Sequence, residues 1–106
     1  MIGIVHPGSM GAAVGAVLVA RGIEVGWAST GRSEATRARA EQFTDLGTVD
    51  RLRDACEVVM SVCPPHAAVE VASAFAGYRG LFLDANAVSP ATAARVGETV
   101  GGRFVD

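Results

Sequence analysis

With 106 residues and a formal net charge of −2, the chain has the size of a single domain and carries no block of like charges. That charge balance excludes a general nucleic-acid binder, and no apolar run is long enough to cross a membrane, so we expect neither partner. Without the basic region of a secretory signal, the sequence predicts a cytoplasmic protein whose Cys56 and Cys63 are reduced.

The chain begins with an apolar stretch, residues 1–5, that predicts a strand, and a glycine-rich turn follows it. In the G-x-G-x-x-G register, Gly8 and Gly11 match, whereas His6 stands where the first glycine would be. A turn of this kind presents backbone N–H groups at a helix N-terminus to a phosphate. We therefore predict a pyrophosphate site formed by the turn, in which His6 either contacts the phosphate or only replaces glycine. Its residues are His6, Pro7, Gly8, Ser9, Met10 and Gly11.

The next element is predicted to be a helix over residues 11–21 that Gly22 ends in the left-handed conformation. This helix is apolar almost all round, a pattern typical of a buried helix. Its small residues would let it approach the sheet closely, and so high an apolar fraction is also compatible with a face meant for a second domain.

A second strand is predicted at residues 24–28, and a polar loop follows it. An NAD site places Asp or Glu at this point to bind the ribose diol. The loop instead offers hydroxyl groups and one guanidinium, which suit a 2′-phosphate, so the pattern favours NADP over NAD. The candidate residues are Ser29, Thr30, Arg32 and Ser33. Ser33 is also predicted to cap a helix that reaches about Phe43.

A short third strand at 44–46 and a brief helix at 49–55 lead to a strand at 57–62 and a helix at 66–76 that stops at Gly77. Between the last two elements, Val62, Cys63 and Pro64 form a strand tip where we expect the cofactor. Cys63 is interpreted as a small hydrophobe and not a nucleophile. His66 either faces the cofactor crevice or has a capping or solvent-exposed role.

The last predicted elements are a strand at 81–83, a helix from the N-cap Ser89 and Pro90 to Val100, and a strand at 103–106. The alternation predicts an α/β fold, a doubly wound parallel sheet of Rossmann type with its ligand at the carboxyl ends of the strands. Near one such end, Asp84 would brace the loop and Asn86 is a candidate for contact with the reacting end of a cofactor. The two histidines and two cysteines are too scattered for a metal site.

Three segments together resemble the superfamily of 3-hydroxyisobutyrate and 6-phosphogluconate dehydrogenases, the β-hydroxyacid dehydrogenases, which includes the imine reductases. They are His6–Gly11, Ser61–Pro64 and Leu83–Thr92. The resemblance covers the whole chain but only the family's N-terminal, cofactor-binding domain. It implies that Gly8–Gly11 bind pyrophosphate and that Cys63 and Pro64 run along the cofactor toward nicotinamide. A Ser-Thr pair that contacts cofactor or substrate in the family is replaced here by Asn86 and Ala87.

The family's catalytic lysine lies beyond its cofactor domain, so the resemblance implies no catalytic residue in residues 1–106 and little turnover by them alone. We expect the helical domain that binds the small-molecule substrate and mediates dimerisation to be absent from this chain, and the full-length enzyme to be a homodimer. The predicted function is the NADP(H)-binding domain of an oxidoreductase that transfers a hydride between nicotinamide and a small hydroxyacid, ketone or imine. The open alternatives are a non-catalytic NADP(H)-binding module and an F420-dependent NADP reductase-like domain.

Overall fold

Six strands form one parallel sheet in the computed structural model, which describes all of residues 1–106. The strands are β1 (Ile2–Ile4), β2 (Val25–Trp27), β3 (Thr44–Asp45), β4 (Val58–Ser61), β5 (Leu81–Asp84) and β6 (Arg103–Val105). Their order across the sheet is β3-β2-β1-β4-β5-β6, and every neighbouring pair is parallel. This is the strand order of a Rossmann fold, so the predicted fold class is confirmed.

Five helices connect these strands. They are α1 (Ser9–Ala20), α2 (Glu34–Arg39), α3 (Val49–Ala55), α4 (Ala68–Ser73) and α5 (Pro90–Val100). The helix predicted at 66–76 is shorter in the structure. A 3-10 turn at Pro65–Ala67 precedes α4, and turns with hydrogen bonds between residues i and i+3 follow it. Likewise, α2 ends at Arg39 and not near Phe43. No helix of the structure combines the length and the apolar character that crossing a bilayer requires.

The predicted N-caps and the predicted glycine stop are found in the structure. The Ser33 and Ser89 hydroxyls each accept a hydrogen bond of 3.2 Å, from the backbone N–H groups of Thr36 and Thr92 respectively. Gly22 follows Arg21, the C-cap of α1, with a φ of +82°, the left-handed conformation expected for a helix stop. These predictions are therefore confirmed.

A hydrophobic core lies on each face of the sheet. The larger one packs α3, α4 and α5 against the sheet, with Phe75 and Phe82 in ring contact at 5.4 Å between centroids. The smaller one lies under α1 and contains Ile4, Trp27 and Phe43. The lack of a side chain at Gly15 lets α1 lie directly on the Phe43 ring, where a Cβ atom would collide.

The predicted burial of α1 is wrong. Only Gly11 and Gly15 of this helix are buried, while Met10 and Val17 are 68% and 59% exposed. The helix covers β1 and β2 with its small residues, and no other element packs on its outer side. On the same face of the sheet, Met60, Leu83 and Val105 extend the row that begins at Ile4 and are only partly covered. An apolar surface therefore remains open on this face.

Candidate functional site

A cavity of about 440 Å³ lies at the carboxyl ends of β1 and β4, the two strands between which the sheet order changes direction. Ligands of open α/β sheets bind at this switch point, and the volume falls within the usual range of small-molecule sites. Val5, His6 and Gly8 line it from the end of β1, and Val62, Cys63 and Pro64 line it from the end of β4. The predicted strand-tip residues are thus brought together.

The first turn of α1 carries three backbone donors without an acceptor inside the protein. The N–H groups of Ser9, Met10 and Gly11 make no intramolecular hydrogen bond, and the helical ladder begins with Ala12, which donates to the Gly8 carbonyl at 2.8 Å. No acidic side chain lies in this turn. Free N–H groups at a helix start attract an anion, so this turn is suited to a phosphate.

Glycine is present at the two positions of the turn, Gly8 and Gly11, for different structural reasons. A Cβ atom on Gly11 would lie 3.0 Å from the His6 carbonyl oxygen and 3.3 Å from a methyl carbon of Ile4, so glycine lets the helix approach the turn. A Cβ atom on Gly8 would meet nothing within 4 Å, and Gly8 has an ordinary φ of −70°. Neither packing nor backbone conformation requires glycine at Gly8. Its missing side chain leaves open space at the cavity wall.

His6 lies between this turn and the polar loop after β2. Burial, and after it the positive charge of Arg32, lowers the pKa of His6 from 6.5 to about 4, so the imidazole is neutral near pH 7. Its Nδ1 atom is shielded from solvent and has no hydrogen-bond partner. The ring therefore lines the cavity as an uncharged group with an unused polar atom.

Of the four predicted residues in the loop after β2, only Arg32 lines the cavity. Its guanidinium makes no hydrogen bond or ion pair within the protein, so its donors are free for a ligand. Ser33 lies away from the cavity wall and uses its hydroxyl as the cap of α2. Thr36, one turn further along α2, lines the cavity beside Arg32 and was not predicted.

The other two loop residues are held by the end of β3. The Thr30 hydroxyl donates to the Gly47 carbonyl at 2.8 Å. Ser29 is buried, and its hydroxyl is the main group that holds the pKa of the Asp45 carboxyl below its usual range. The Gly47 N–H lowers the same pKa to a smaller extent. Ser29 also accepts a 3.2 Å hydrogen bond at its carbonyl from Arg37, a second guanidinium that the sequence analysis did not single out. These contacts fix the loop that carries Arg32.

A polar network joins the tips of β4 and β5. Asn86 accepts a hydrogen bond of 2.7 Å from the Cys63 N–H at its Oδ1 atom, and its Nδ2 atom donates to the Ser61 hydroxyl at 3.2 Å. Asp84 is buried and accepts the Asn86 N–H at 2.9 Å through Oδ1, while its Oδ2 atom has no partner. Asn86 does not line the cavity, so its observed contacts are those of a brace for the β4 tip.

The remaining predicted residues have different positions. Burial raises the pKa of the Cys63 thiol, which keeps it protonated and accords with its interpretation as a small hydrophobe. His66 is exposed in the 3-10 turn and is not part of the cavity wall, and Pro7 is fully buried under the turn. Ser9 and Met10 are exposed at the start of α1, directly after Gly8, and do not line the cavity themselves.

One wall of the cavity was not predicted from the sequence. Ala67, Glu70, Val71 and Ala74 recur at helical spacing along and beside α4 and line the same cavity as Arg32. A signal existed, because the helix after β4 must border a crevice at the carboxyl end of that strand. Glu70 is the only ionisable side chain of this wall. The other ionisable side chains of the cavity are those of Arg32, His6 and Cys63.

No protein-family model and no curated protein matches the chain. Among solved structures, a conserved protein of unknown function, described as structurally similar to 3-hydroxyacid dehydrogenases, superposes with a TM-score of 0.91 at 30% identity. That match covers 99% of this chain and 42% of the other. An imine reductase from Bacillus cereus gives a TM-score of 0.74 at 17% identity, and one from Streptomyces aurantiacus gives 0.72 at 24%. Each of these matches covers 97% of this chain and 38% of the reductase.

The chain matches the N-terminal domain of the superfamily that contains the 3-hydroxyacid dehydrogenase-like proteins and the imine reductases. The resemblance inferred from the turn and the two strand tips is thereby confirmed. The chain spans about two fifths of the length of these solved structures, as the shares of 42% and 38% show. The two imine reductases lie below 25% identity and support the fold alone.

Proposed function

We propose that the chain is the NADP(H)-binding domain of an oxidoreductase that transfers a hydride between nicotinamide and a small hydroxyacid, ketone or imine. Neighbours that are 3-hydroxyacid dehydrogenase-like proteins and imine reductases support the coarser part, a dinucleotide-binding domain of an oxidoreductase. One observation carries the proposal. Gly8, with the open space beside it, and the unpaired guanidinium of Arg32 line one crevice, and the free N–H groups of Ser9–Gly11 follow Gly8 directly at the start of α1.

The first turn of α1 binds the pyrophosphate in this proposal. Its three free donors and the positive end of the helix dipole favour negative charge, and no acidic side chain of the turn opposes it. The neutral His6 ring adds a polar atom without repelling or attracting the phosphate strongly. Pro7 contributes no N–H, so the donors come from the helix and not from the residues before Gly8.

Arg32 supports NADP over NAD. A guanidinium without a protein partner is suited to a 2′-phosphate, which it contacts by charge-assisted hydrogen bonds. The acidic side chain tied to this loop is Asp45, which already accepts a 2.8 Å hydrogen bond from the Gly47 N–H. The loop therefore presents its positive group to the crevice, while its carboxylate is used to hold the backbone.

The bound nicotinamide supplies the hydride chemistry, and the residues of this chain bind and orient the cofactor. Val62, Cys63 and Pro64, held by Asn86, form a firm wall along which the cofactor extends. We assign no catalytic residue to this chain. The proposal places the substrate-binding and proton-transferring residues in a second domain and the complete enzyme in a homodimer, so this chain alone binds cofactor with little or no turnover.

Isothermal titration calorimetry of the purified chain with NADPH and, separately, with NADH tests the proposal. We expect NADPH to bind at least about tenfold more tightly than NADH, since the 2′-phosphate adds charge-assisted hydrogen bonds. Absence of binding by both nucleotides would overturn the dinucleotide site. Equal binding of both would retain the site but overturn the NADP preference.

A further inference from the structure

The cavity has two unlike walls. One wall, formed by Val62, Ala67 and Val71, is apolar, and the helical spacing of the last two residues makes it nearly continuous. Arg32 and Thr36 add polar side chains to the lining, and the Thr36 hydroxyl also pairs with that of Ser33. Such a slot suits a flat, partly polar ring that packs one face on the aliphatic wall and exposes its edge to the polar groups.

Glu70 is the only carboxylate of the cavity wall. Its side chain is exposed and makes no hydrogen bond or ion pair in the protein, and only its backbone carbonyl accepts a hydrogen bond, from Ser73. Although Arg32 lines the same cavity, no ion pair joins the two side chains. Both charged groups thus border the cavity without neutralising each other, which leaves each available for a different part of a ligand.

A free carboxylate would oppose a ligand that carries several phosphates unless the ligand offers it a hydrogen-bond donor, because a carboxylate only accepts. In the adenosine half of NADP(H), the 2′-phosphate goes to Arg32 and the pyrophosphate to the start of α1. The group that remains between these positions and the α4 wall is the adenine ring. Its exocyclic 6-amino group is the donor on that ring's edge.

Resting on the proposed function, we infer that Glu70 is a specificity-determining residue that accepts a hydrogen bond from the adenine 6-amino group. Glu70 extends from the same helix face as Ala67 and Val71, so the carboxylate lies at the edge of the aliphatic wall on which the ring packs. A base with a 6-oxo group presents an acceptor to the carboxylate at that position and keeps a donor only at N1, so it binds less tightly. The site therefore distinguishes adenine from hypoxanthine.

The experiment compares NADPH with nicotinamide hypoxanthine dinucleotide phosphate, its 6-oxo analogue, by calorimetric titration of the full chain. In the wild type we expect about a tenfold preference for NADPH, the effect of one charge-assisted hydrogen bond. Glu70→Ala should reduce this preference to within about twofold. Glu98→Ala, a matched loss of a carboxylate on α5 outside the cavity, should leave the preference unchanged. Because both side chains are exposed, circular dichroism should show that both variants fold.

The outcomes separate this inference from the function on which it rests. If the wild type binds neither NADPH nor its 6-oxo analogue, the proposed function fails. If it binds NADPH and the 6-oxo analogue equally, or if Glu70→Ala retains the full preference, the role of Glu70 alone is overturned. A third result, tighter binding of both nucleotides by Glu70→Ala with the preference intact, would show that Glu70 only repels phosphate and would also overturn it.

Discussion

The side-chain oxygen of Asn86 accepts a 2.7 Å hydrogen bond from the backbone N–H of Cys63, 23 residues earlier in the chain. The same amide donates to Ser61, so one side chain joins the tips of β4 and β5. This brace sets the position of one cavity wall without taking part in that wall. It gives a structural reason for Asn86 that does not depend on contact with a cofactor.

Replacement of Asn86 by Ala should lower the free energy of unfolding by about 1–3 kcal/mol, since the Cys63 N–H loses its acceptor and the buried Ser61 hydroxyl keeps only its contact with the Cys63 thiol. Urea denaturation followed by circular dichroism measures the change. Thr99→Ala is the control, because the Thr99 hydroxyl bonds only within α5, to the Arg95 carbonyl, and its loss should cost less than about 0.5 kcal/mol. Equal effects of the two substitutions would contradict the bracing role.

Arg32→Ala should weaken NADPH binding by about ten- to a hundredfold and change NADH binding little, because only NADPH carries the 2′-phosphate. The control is Arg95→Ala, which removes the same charge from α5, outside the cavity wall. Titration of both variants with both nucleotides gives the comparison. A similar loss for NADPH and NADH would assign Arg32 to the shared part of the cofactor and not to the 2′-phosphate.

Gly8→Val should affect binding more than stability. A Cβ atom there meets nothing within 4 Å and needs no unusual backbone conformation, but Gly8 is the N-cap of α1, where valine is less favourable, so the free energy of unfolding should fall by no more than about 1 kcal/mol. The added methyl groups would occupy the space beside the free N–H groups, and NADPH affinity should fall at least about tenfold.

The opposite result is expected for Gly80→Ala. Its Cβ atom would collide with the Glu57 carbonyl oxygen and the Tyr78 hydroxyl, far from the cavity wall, and should cost about 1–3 kcal/mol. Thermal unfolding with and without NADPH measures both variants. If Gly8→Val destabilised the unliganded protein as much as Gly80→Ala, the space at Gly8 would have a structural purpose.

The stability of the protein should depend on acid through His6. Because burial lowers the pKa of His6 to about 4, the unfolded chain binds a proton between pH 6.5 and 4 that the folded chain does not. Stability should therefore decrease as the pH falls through this window, by about 1–2 kcal/mol after allowance for partial solvent exposure, and His6 should add no further loss below pH 4.

Denaturation at a series of pH values tests this expectation with His6→Gln and His66→Gln. The first variant should flatten the profile between pH 4 and 6.5, the window set by the lowered pKa of His6. The second should leave the profile like that of the wild type, because His66 is exposed. A profile that only His66→Gln flattens would show that the acid sensitivity does not come from the glycine-rich turn.

The features that the sequence predicted well depend on nearby residues. Ser33 and Ser89 cap their helices through N–H groups three positions later, and Gly22 ends α1 through its own backbone conformation. Such contacts follow from local spacing, whatever the rest of the fold does. The parallel order likewise follows from the alternation of strands and helices, which restricts the possible topologies.

The features that could not be predicted from the sequence depend on residues far apart in the chain. Because α1 is apolar on every side, no periodicity indicated that Val17 would face outward. Ser29 is engaged by Asp45 on the neighbouring strand, and this contact exists only once β2 and β3 are paired. Glu70 and Arg32 line one cavity for the same kind of reason. Polar spacing along one segment cannot reveal which distant wall completes a site.

The position of Trp27 has an optical consequence. It is the only tryptophan of the chain, it is buried, and it ends β2 just before the loop that carries Arg32. A buried indole emits at wavelengths that reduced nicotinamide absorbs and oxidised nicotinamide does not. The fold thus contains a single fluorescent donor beside the proposed cofactor crevice, and its quenching by energy transfer would report the redox state of the nucleotide without any added label.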